Sequence, residues 1–345
     1  MNKPAVTVFV LGAGFTRAFV PAAPLMTGDY SVSQLREKLK AFPFANRALE
    51  LELRRTGNGG INIERLMTRL DSGMPYDERI GGRAEYALLL NEVTRVFIDA
   101  LSAGKAEKWH QGELQNFARY CVTKPANCIT FNHDDTFDEA LWVASGKPPE
   151  PTPEGWHPGF GYGFRCREVS ITINLDVPNM ERPTMLLLKL HGSVNWFARR
   201  GASKPYAIDD VVHWGGWFDT VPQLDLETID VHVESGCIIV PPVLTKSELM
   251  EQPILRVEWS LAYQKLREAN EVAFIGYSLP VTDIAAATLF NEAVQPTAKV
   301  TVINRGETDE AQLRTRNVYQ AALSRDDIEF VFEDARAWIN RRVAG

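Results

Sequence analysis

The chain has 345 residues, of which 45% are hydrophobic and 10% aromatic, and it carries a formal net charge of −7. This length and composition fit one large globular domain with insertions, or two domains. The negative charge provides no basic field for nucleic acid or an anionic membrane surface, so we expect direct binding to neither. No apolar stretch approaches the roughly 20 residues that cross a bilayer.

The cysteines are dispersed, and no two of them form a C-x-x-C pair; they are Cys121, Cys128, Cys166 and Cys237. This spacing lacks the usual signature of a structural zinc site, and the histidines show no ligand spacing either, so we expect no metal. Free thiols are typical of a reducing compartment, which favours a cytoplasmic location. An export signal is the alternative interpretation of the first residues, but their apolar run ends in glycines instead of a cleavage-like site.

The first predicted strand, from Val6 to Leu11, opens into Gly12-Ala13-Gly14-Phe15-Thr16. A glycine-rich turn between a strand and a helix can bring backbone N–H groups and the helix dipole close to a phosphate. The dehydrogenase pattern G-x-G-x-x-G needs a small residue where Arg17 stands, and no second strand with an acidic end follows. The loop is therefore a candidate for phosphate binding but a poor match to a dehydrogenase, and a tight turn without a ligand is the alternative.

The pattern is helical throughout from about residue 31 to residue 120. Apolar residues recur at helical spacing in three groups: Leu35, Leu39 and Phe42; Ile63, Leu66, Met67 and Leu70; and Leu90, Val93 and Phe97. We predict a helical module inserted after the first strand and its helix, within one domain that spans residues 1–345.

The next predicted strand, from Cys128 to Phe131, ends in Asn132-His133-Asp134-Asp135. The Asn132 amide is able to hold a ribose hydroxyl or a water molecule. The alternative is an Asx turn or a cap for the helical segment from Thr136 to Val143.

Residues 146–183 are rich in proline and glycine and contain the aromatic segment from Trp156 to Phe164. Such a stretch predicts a long loop or a small β insertion. It is a candidate lid or interface if its aromatic side chains are exposed, and packing material if they are not.

The apolar run from Leu186 to Leu190 predicts a strand that is buried on both faces, and it leads directly into His191-Gly192-Ser193. Open α/β sheets bind ligands at the carboxyl ends of their strands, which makes His191 a candidate site residue. A lone histidine is also often a structural residue, so His191 alone does not decide the question.

Four further strands and two helices follow. The predicted strands are Gly236 to Val240, Glu271 to Ile275, Val300 to Ile303 and Ile328 to Phe332, and the predicted helices are Asp283 to Val294 and Thr308 to Ser324. Strands that alternate with helices predict an α/β, Rossmann-like fold with a mostly parallel sheet and helices on both faces. Asp283, at a helix start, is a candidate site residue or simply an N-cap.

Five short motifs occur in the same order as the signature blocks of the sirtuins, and together they resemble that family. They are Gly12-Ala13-Gly14-Phe15-Thr16, Thr130-Phe131-Asn132-His133-Asp134, Lys189-Leu190-His191-Gly192-Ser193, Gly276-Tyr277-Ser278-Leu279-Pro280 and Val302-Ile303-Asn304. The pattern G-Y-S-L-P-x-x-D, which ends at Asp283, resembles the prokaryotic sirtuin-like branch found in antiphage NAD hydrolases. The chain lacks the paired cysteines of the zinc module in protein-deacylating sirtuins, which puts the binding of a peptide substrate in doubt.

The resemblance implies an NAD glycohydrolase that cleaves NAD to nicotinamide and ADP-ribose and acts in antiphage defence by depleting NAD. NAD is then a substrate, and no metal takes part. Asn132 and His191 are the implied catalytic residues. The implied NAD-binding residues are Gly12, Ala13, Gly14, Phe15, Thr16, Asp134, Gly276, Ser278, Asp283 and Asn304.

Two other functions stay open at this point. One is a non-catalytic module that binds NAD or ADP-ribose and regulates a partner, and the other is an NAD-dependent protein deacylase or ADP-ribosyltransferase. Because unrestrained hydrolysis of NAD would kill the cell, we expect gating through a homo-oligomer or an activating partner protein. The helical insertion and the aromatic segment are the expected surfaces for this gating.

Overall fold

The computed structural model describes residues 6–23, 32–57, 61–71, 90, 94, 98–124, 126–146, 155–169, 174–175, 183, 185–214, 233–240 and 251–345. The helices are α1 (Ala13–Phe19), α2 (Val32–Leu39), α3 (Pro43–Arg55), α4 (Ile63–Asp71), α5 (Gln111–Thr123), α6 (Thr136–Ala144), α7 (Pro253–Glu268), α8 (Ile284–Ala293), α9 (Asp309–Leu323) and α10 (Ala335–Ala344). The strands are β1 (Thr7–Leu11), β2 (Ala126–Thr130), β3 (Arg167–Val169), β4 (Asn174–Leu175), β5 (Leu187–Lys189), β6 (Gly192–Arg199), β7 (Val211–Trp214), β8 (Val233–Ile239), β9 (Glu271–Ile275), β10 (Lys299–Asn304) and β11 (Glu329–Phe332).

Six strands form the main sheet, in the order β11-β10-β9-β1-β2-β5. Every neighbouring pair in this sheet is parallel. The predicted α/β class with a mostly parallel sheet is therefore confirmed. Because all six strands run the same way, their carboxyl ends meet at one edge of the sheet.

Helices cover both faces of the main sheet. The alternation of side chains along β1 shows why: Phe9 and Leu11 pack with α5 and α10 on one face, whereas Val8 and Val10 pack with α7, α8 and α9 on the other. Successive side chains of a strand point to opposite faces, so a strand covered on both sides has to be apolar throughout. This explains why the sheet strands read as continuous apolar runs.

The order of the strands reverses at β1. The chain proceeds from β1 to β2 and β5 on one side, and then returns to place β9, β10 and β11 on the other side. In open α/β sheets a crevice forms outside the carboxyl ends of the strands at such a reversal, and ligands bind there. The loops that follow β1, β2 and β9 border this position.

A second sheet has five strands in the order β4-β3-β7-β6-β8. Its last strand, β8, contains most of the segment from Gly236 to Val240, which we had placed among the alternating strands of the main sheet. That placement is wrong, because β8 pairs antiparallel with β6, with Gly192 opposite Ile239. The chain leaves the main sheet after β5 and enters β6 of the second sheet. Because β8 pairs with β6, it belongs to the second sheet as well.

The helices α2, α3 and α4 form a separate hydrophobic cluster. Its buried residues include Leu35, Leu39, Ile63, Leu66, Met67 and Leu70, which are members of the groups predicted from helical spacing. Leu90 packs at the edge of this cluster, whereas Val93 and Phe97 lie outside the described residues. The division of the chain into one domain with two insertions stays a prediction.

The aromatic segment that begins at Trp156 is packed inside the protein. Trp156 is 1% exposed, Tyr162 0% and Phe164 8%, and all three belong to the main hydrophobic cluster. The expectation of an exposed aromatic lid or interface is therefore wrong for these three side chains. Their rings fill the space beside Trp196, at centroid distances of 5.0 Å from Tyr162 and 5.3 Å from Phe164.

None of the helices in the part of the chain that the structure describes combines the length and the hydropathy needed to cross a bilayer.

Candidate functional site

The loops after β1 and β9 are locked together by backbone hydrogen bonds. The N–H of Gly12 donates to the carbonyl of Ile275 at 3.1 Å, and that of Gly14 donates to the carbonyl of Gly276 at 2.9 Å. Gly276 has a φ of +61°, and a Cβ at this position would lie 2.2 Å from the backbone nitrogen of Phe15. Glycine is required here because the two backbones touch.

This close packing changes the expected role of the glycine-rich loop. The N–H groups of Gly12 and Gly14 are used by the contact with β9, and that of Phe15 donates to the carbonyl of Gly12. They are therefore not available to hold a phosphate in this conformation, contrary to the expectation from sequence. Ala13 is half-buried at the start of α1, and its N–H makes no backbone hydrogen bond within the described residues.

A chain of hydrogen bonds joins the end of β2 to α1. The side-chain nitrogen of Asn132 donates to the hydroxyl of Thr16 and to the carbonyl of Gly12, both at 2.9 Å. The Thr16 hydroxyl in turn donates to Oδ2 of Asp134 at 2.9 Å. Thr16 is 5% exposed, so its hydroxyl orients Asn132 and is shielded from solvent.

Asn132 is half-buried, and its carboxamide oxygen accepts no hydrogen bond from any part of the chain that the structure describes. Because both donor bonds fix the amide plane, this oxygen has a defined direction. Asp134 also forms an Asx turn, which was the alternative prediction for this segment, because its Oδ1 accepts from the N–H of Thr136 at 3.1 Å.

Beneath these residues lies a buried ion pair that the sequence did not single out. Lys189, at the end of β5, is 0% exposed and places its ammonium 3.0 Å from Oδ2 of Asp138. The same ammonium donates to the carbonyl of Asp134 at 2.6 Å, and the Tyr162 hydroxyl donates to Asp138 at 2.5 Å. The network therefore ties α6 and the loop after β2 to the strand that leads to His191.

Burial dominates the electrostatics of this network. Desolvation raises the pKa of the Asp138 carboxyl, although the nearby Lys189 ammonium acts in the opposite direction. Desolvation, followed by the charge of Asp138, raises the pKa of Tyr162 well above its ordinary value, so that its hydroxyl stays a donor. A charge held this deep is costly unless it is paired and hydrogen-bonded.

His191 lies in the two-residue connection between β5 and β6 and is 9% exposed. Its backbone is held on both sides: the His191 carbonyl accepts from the N–H of Val240 at 2.8 Å, and the preceding carbonyl of Leu190 accepts from the indole of Trp259 at 2.9 Å. Gly192 has a φ of +75°, and a Cβ there would lie 2.1 Å from the carbonyl oxygen of Ile238. The H-G motif thus has a structural reason for its glycine.

Asp283, Phe131 and His133 are among the side chains next to the His191 imidazole. Its Nε2 lies 3.5 Å from Oδ2 of Asp283, the Phe131 ring meets it edge-on at 5.1 Å, and the His133 ring stacks at 6.0 Å. Asp283 is 2% exposed and caps α8. Asp283, which the resemblance places among the NAD-binding residues, lies beside His191 in the structure.

Two further predicted NAD-binding residues, Ser278 and Asn304, lie after β9 and at the end of β10. Ser278 is exposed, and its hydroxyl makes no hydrogen bond to the described residues. Asn304, at the end of β10, is half-buried and donates to the carbonyl of Tyr277 at 3.3 Å. Tyr277 also stacks on Phe131 at 4.4 Å, so it connects Asn304 with the residues around His191.

The predicted site residues therefore lie along one edge of the main sheet in two linked groups. One group is Thr16, Asn132 and Asp134, and the other is His191 and Asp283. Phe131 links them, because its ring contacts His191 and its backbone leads directly into Asn132. Within the described residues no three histidine, cysteine or acidic side chains are grouped as they would be around a metal ion.

No protein-family model matches this sequence, and no curated protein sequence matches it. Solved structures of Sir2 homologues are similar to this chain at low sequence identity. A complex of a Sir2 homologue mutant with 2'-O-acetyl ADP ribose is 14% identical, with a TM-score of 0.41 and coverage of 98% of this chain and 90% of that chain. A Sir2 homologue in complex with NAD is 15% identical, with a TM-score of 0.41 and coverage of 98% and 88%. A likeness of this degree says nothing about activity, so function has to be inferred from the residues of this chain.

Proposed function

We propose that this protein is an NAD glycohydrolase, which releases nicotinamide and ADP-ribose. The observation that carries the proposal is the pairing at one sheet edge of Asn132, whose amide is fixed with its oxygen unoccupied by the described chain, and His191, which is held beside a carboxylate. A module that only binds NAD would not need both residues of this pair.

The reaction breaks the bond between the nicotinamide nitrogen and the ribose carbon C1'. Nicotinamide leaves as a neutral molecule with the bonding electron pair, and the ribose acquires oxocarbenium character. Asn132 positions the attacking water and a ribose hydroxyl, which supplies the orientation that makes the step effectively unimolecular. His191 accepts the proton of that water as its oxygen bonds to C1', a role suited to an imidazole near neutral pH.

The remaining predicted residues bind the substrate in this proposal. The loop of Gly12, Ala13, Gly14, Phe15 and Thr16 borders the pyrophosphate. Ala13 is the residue of this loop whose N–H is left for it by the internal bonds described above. Ser278 offers an exposed hydroxyl, Gly276 allows the close approach of the loops, and Asn304 contacts the adenosine ribose. Asp134 acts through Thr16, to which it is hydrogen-bonded.

We further propose that this activity serves antiphage defence and is gated by self-assembly or by a partner protein, because free hydrolysis of NAD would be lethal to the producing cell. The burial of Trp156, Tyr162 and Phe164 leaves the helical module of α2, α3 and α4 as the candidate surface for this gating.

A product analysis distinguishes the three candidate functions. The protein, in molar excess over labelled NAD, is incubated with and without an acetylated peptide, and nicotinamide and ADP-ribose are separated by chromatography. We expect both products at the same rate in the two samples. Product formation that requires the peptide would favour a deacylase. Binding of NAD without any cleavage beyond the rate in buffer would favour a regulatory module.

A further inference from the structure

The two oxygens of the Asp283 carboxylate face different partners. Oδ1 accepts a hydrogen bond from the N–H of Ala286 at 3.3 Å and so caps α8. Oδ2 lies 3.4 Å from the hydroxyl of Tyr277 and 3.5 Å from Nε2 of His191. The capping bond fixes the plane of the carboxylate, so that the second oxygen is aimed at the imidazole.

The surroundings of this carboxylate strengthen its effect on the imidazole. Asp283 is 2% exposed, and charges that are shielded from water and salt interact more strongly than charges on the surface. Burial, followed by the charge of Asp283, raises the pKa of Tyr277 well above its ordinary value. The Tyr277 hydroxyl therefore stays neutral and donates to the Asp283 carboxylate. Because it carries no negative charge, it does not compete with Asp283 for the imidazolium of His191.

The other groups at the ring have different effects. Phe131 meets the His191 imidazole edge-on and carries no charge. His133 is titratable as well, and its ring stacks on the imidazole at a centroid distance of 6.0 Å. A positive charge on His133 would oppose protonation of His191, whereas the carboxylate of Asp283 favours it.

We propose that Asp283 is a positioning residue for His191, one that orients the imidazole through Nε2 and stabilises its protonated form. When Nε2 carries the proton that faces the carboxylate, the lone pair of the neutral ring is on Nδ1, which becomes the basic atom. The catalytic meaning of this contact rests on the proposed function. The contact itself can be tested without NAD.

The first test is an NMR titration of the histidine side chains, in which the His191 signal is identified by its loss in His191→Ala. In Asp283→Asn the carboxamide keeps the cap of α8, since asparagine and aspartate cap helices equally well, but the charge is gone. We expect the midpoint of the His191 titration to fall by about one pH unit, because the imidazolium loses its counter-charge. An unchanged midpoint in Asp283→Asn would overturn the inference.

Asp334→Asn is the matched control. Asp334 is likewise the N-cap of a helix, α10, and its side chain accepts from the N–H of Arg336. The identical substitution at that cap should leave the His191 midpoint where it is in the wild-type protein. A shift of the same size in Asp334→Asn would show that the effect is a general one of charge or stability and would also contradict the inference.

The second test separates this inference from the proposed function. In the NAD assay, Asp283→Asn should lower kcat by about tenfold and move the acidic limb of the pH profile to lower pH, with little change in KM. If the wild-type protein does not cleave NAD but the NMR midpoint moves as expected, the proposed function fails and the pairing stands. If NAD is cleaved and Asp283→Asn changes neither the profile nor the midpoint, only the pairing fails.

Discussion

His191→Ala and Asn132→Ala should each lower the turnover of NAD by roughly 10²–10⁴-fold, which is the usual contribution of a positioned acid–base group. His191 is proposed to take the proton of the attacking water, and Asn132 to position that water, so neither alanine variant can replace the lost function. The measurement is the initial rate of nicotinamide release at saturating NAD, together with the far-UV circular dichroism of each variant.

The Asn132→Ala variant should also be less stable than the wild-type protein. Removal of the Asn132 side chain takes one donor from the Thr16 hydroxyl and one from the Gly12 carbonyl, at a cost of about 1 kcal/mol in the free energy of unfolding. His110→Ala is a suitable control, because the His110 side chain contacts Arg336 and Glu113, neither of which is a predicted site residue. Its rate should equal that of the wild-type protein. A His191→Ala variant with wild-type turnover would remove His191 from the mechanism.

Lys189→Met should lower the free energy of unfolding by about 3–5 kcal/mol, as expected when one partner of a buried ion pair is removed. The methionine fills a similar volume, but Asp138 is left as a buried charge, and the Asp134 carbonyl loses its donor. The measurement is chemical denaturation of both proteins. Lys299→Met is the matched control, because Lys299 forms an exposed ion pair with Glu329 on strands of the same sheet. Its effect should be within about 1 kcal/mol.

The loss in the free energy of unfolding caused by Lys189→Met, called the deficit below, should also depend on pH. Burial already raises the pKa of Asp138, and loss of the ammonium raises it further. A group whose pKa is raised in the folded state contributes most to stability at low pH and loses that contribution as the pH rises. The deficit should therefore shrink as the pH is lowered and Asp138 takes up a proton. A deficit that is small at neutral pH, or one that grows on acidification, would contradict this account of the network.

The sequence was sufficient to predict the strands of the main sheet and the clusters that follow them. Strands buried on both faces read as short apolar runs, and each run stops where a glycine or a polar residue reaches the sheet edge. Gly12, Asn132, His191 and Asn304 were found in this way. Their common location follows from the parallel order of the strands and not from any spacing along the chain.

The structure corrected the predictions that depend on contacts between residues far apart in the chain. A short apolar strand looks the same whether it joins a parallel or an antiparallel sheet, so β8 could not be assigned to its sheet. The rings that begin at Trp156 are buried by partners elsewhere in the fold, and a local pattern of glycine and aromatic residues cannot show this. The contact of Asp283 with His191 joins the start of α8 to the end of β5, which are far apart in sequence. The pairing of Lys189 with Asp138 was not predicted for the same reason.

The most direct test of the proposed site is a crystal structure of the His191→Ala variant with NAD, in which the substrate should survive because the proton acceptor is missing. The account predicts that the nicotinamide ribose lies within hydrogen-bonding distance of the Asn132 carboxamide oxygen. The adenosine should lie toward Asn304. NAD bound at any other place, or bound with its nicotinamide ribose away from Asn132 and position 191, would contradict the central claim that this sheet edge cleaves NAD.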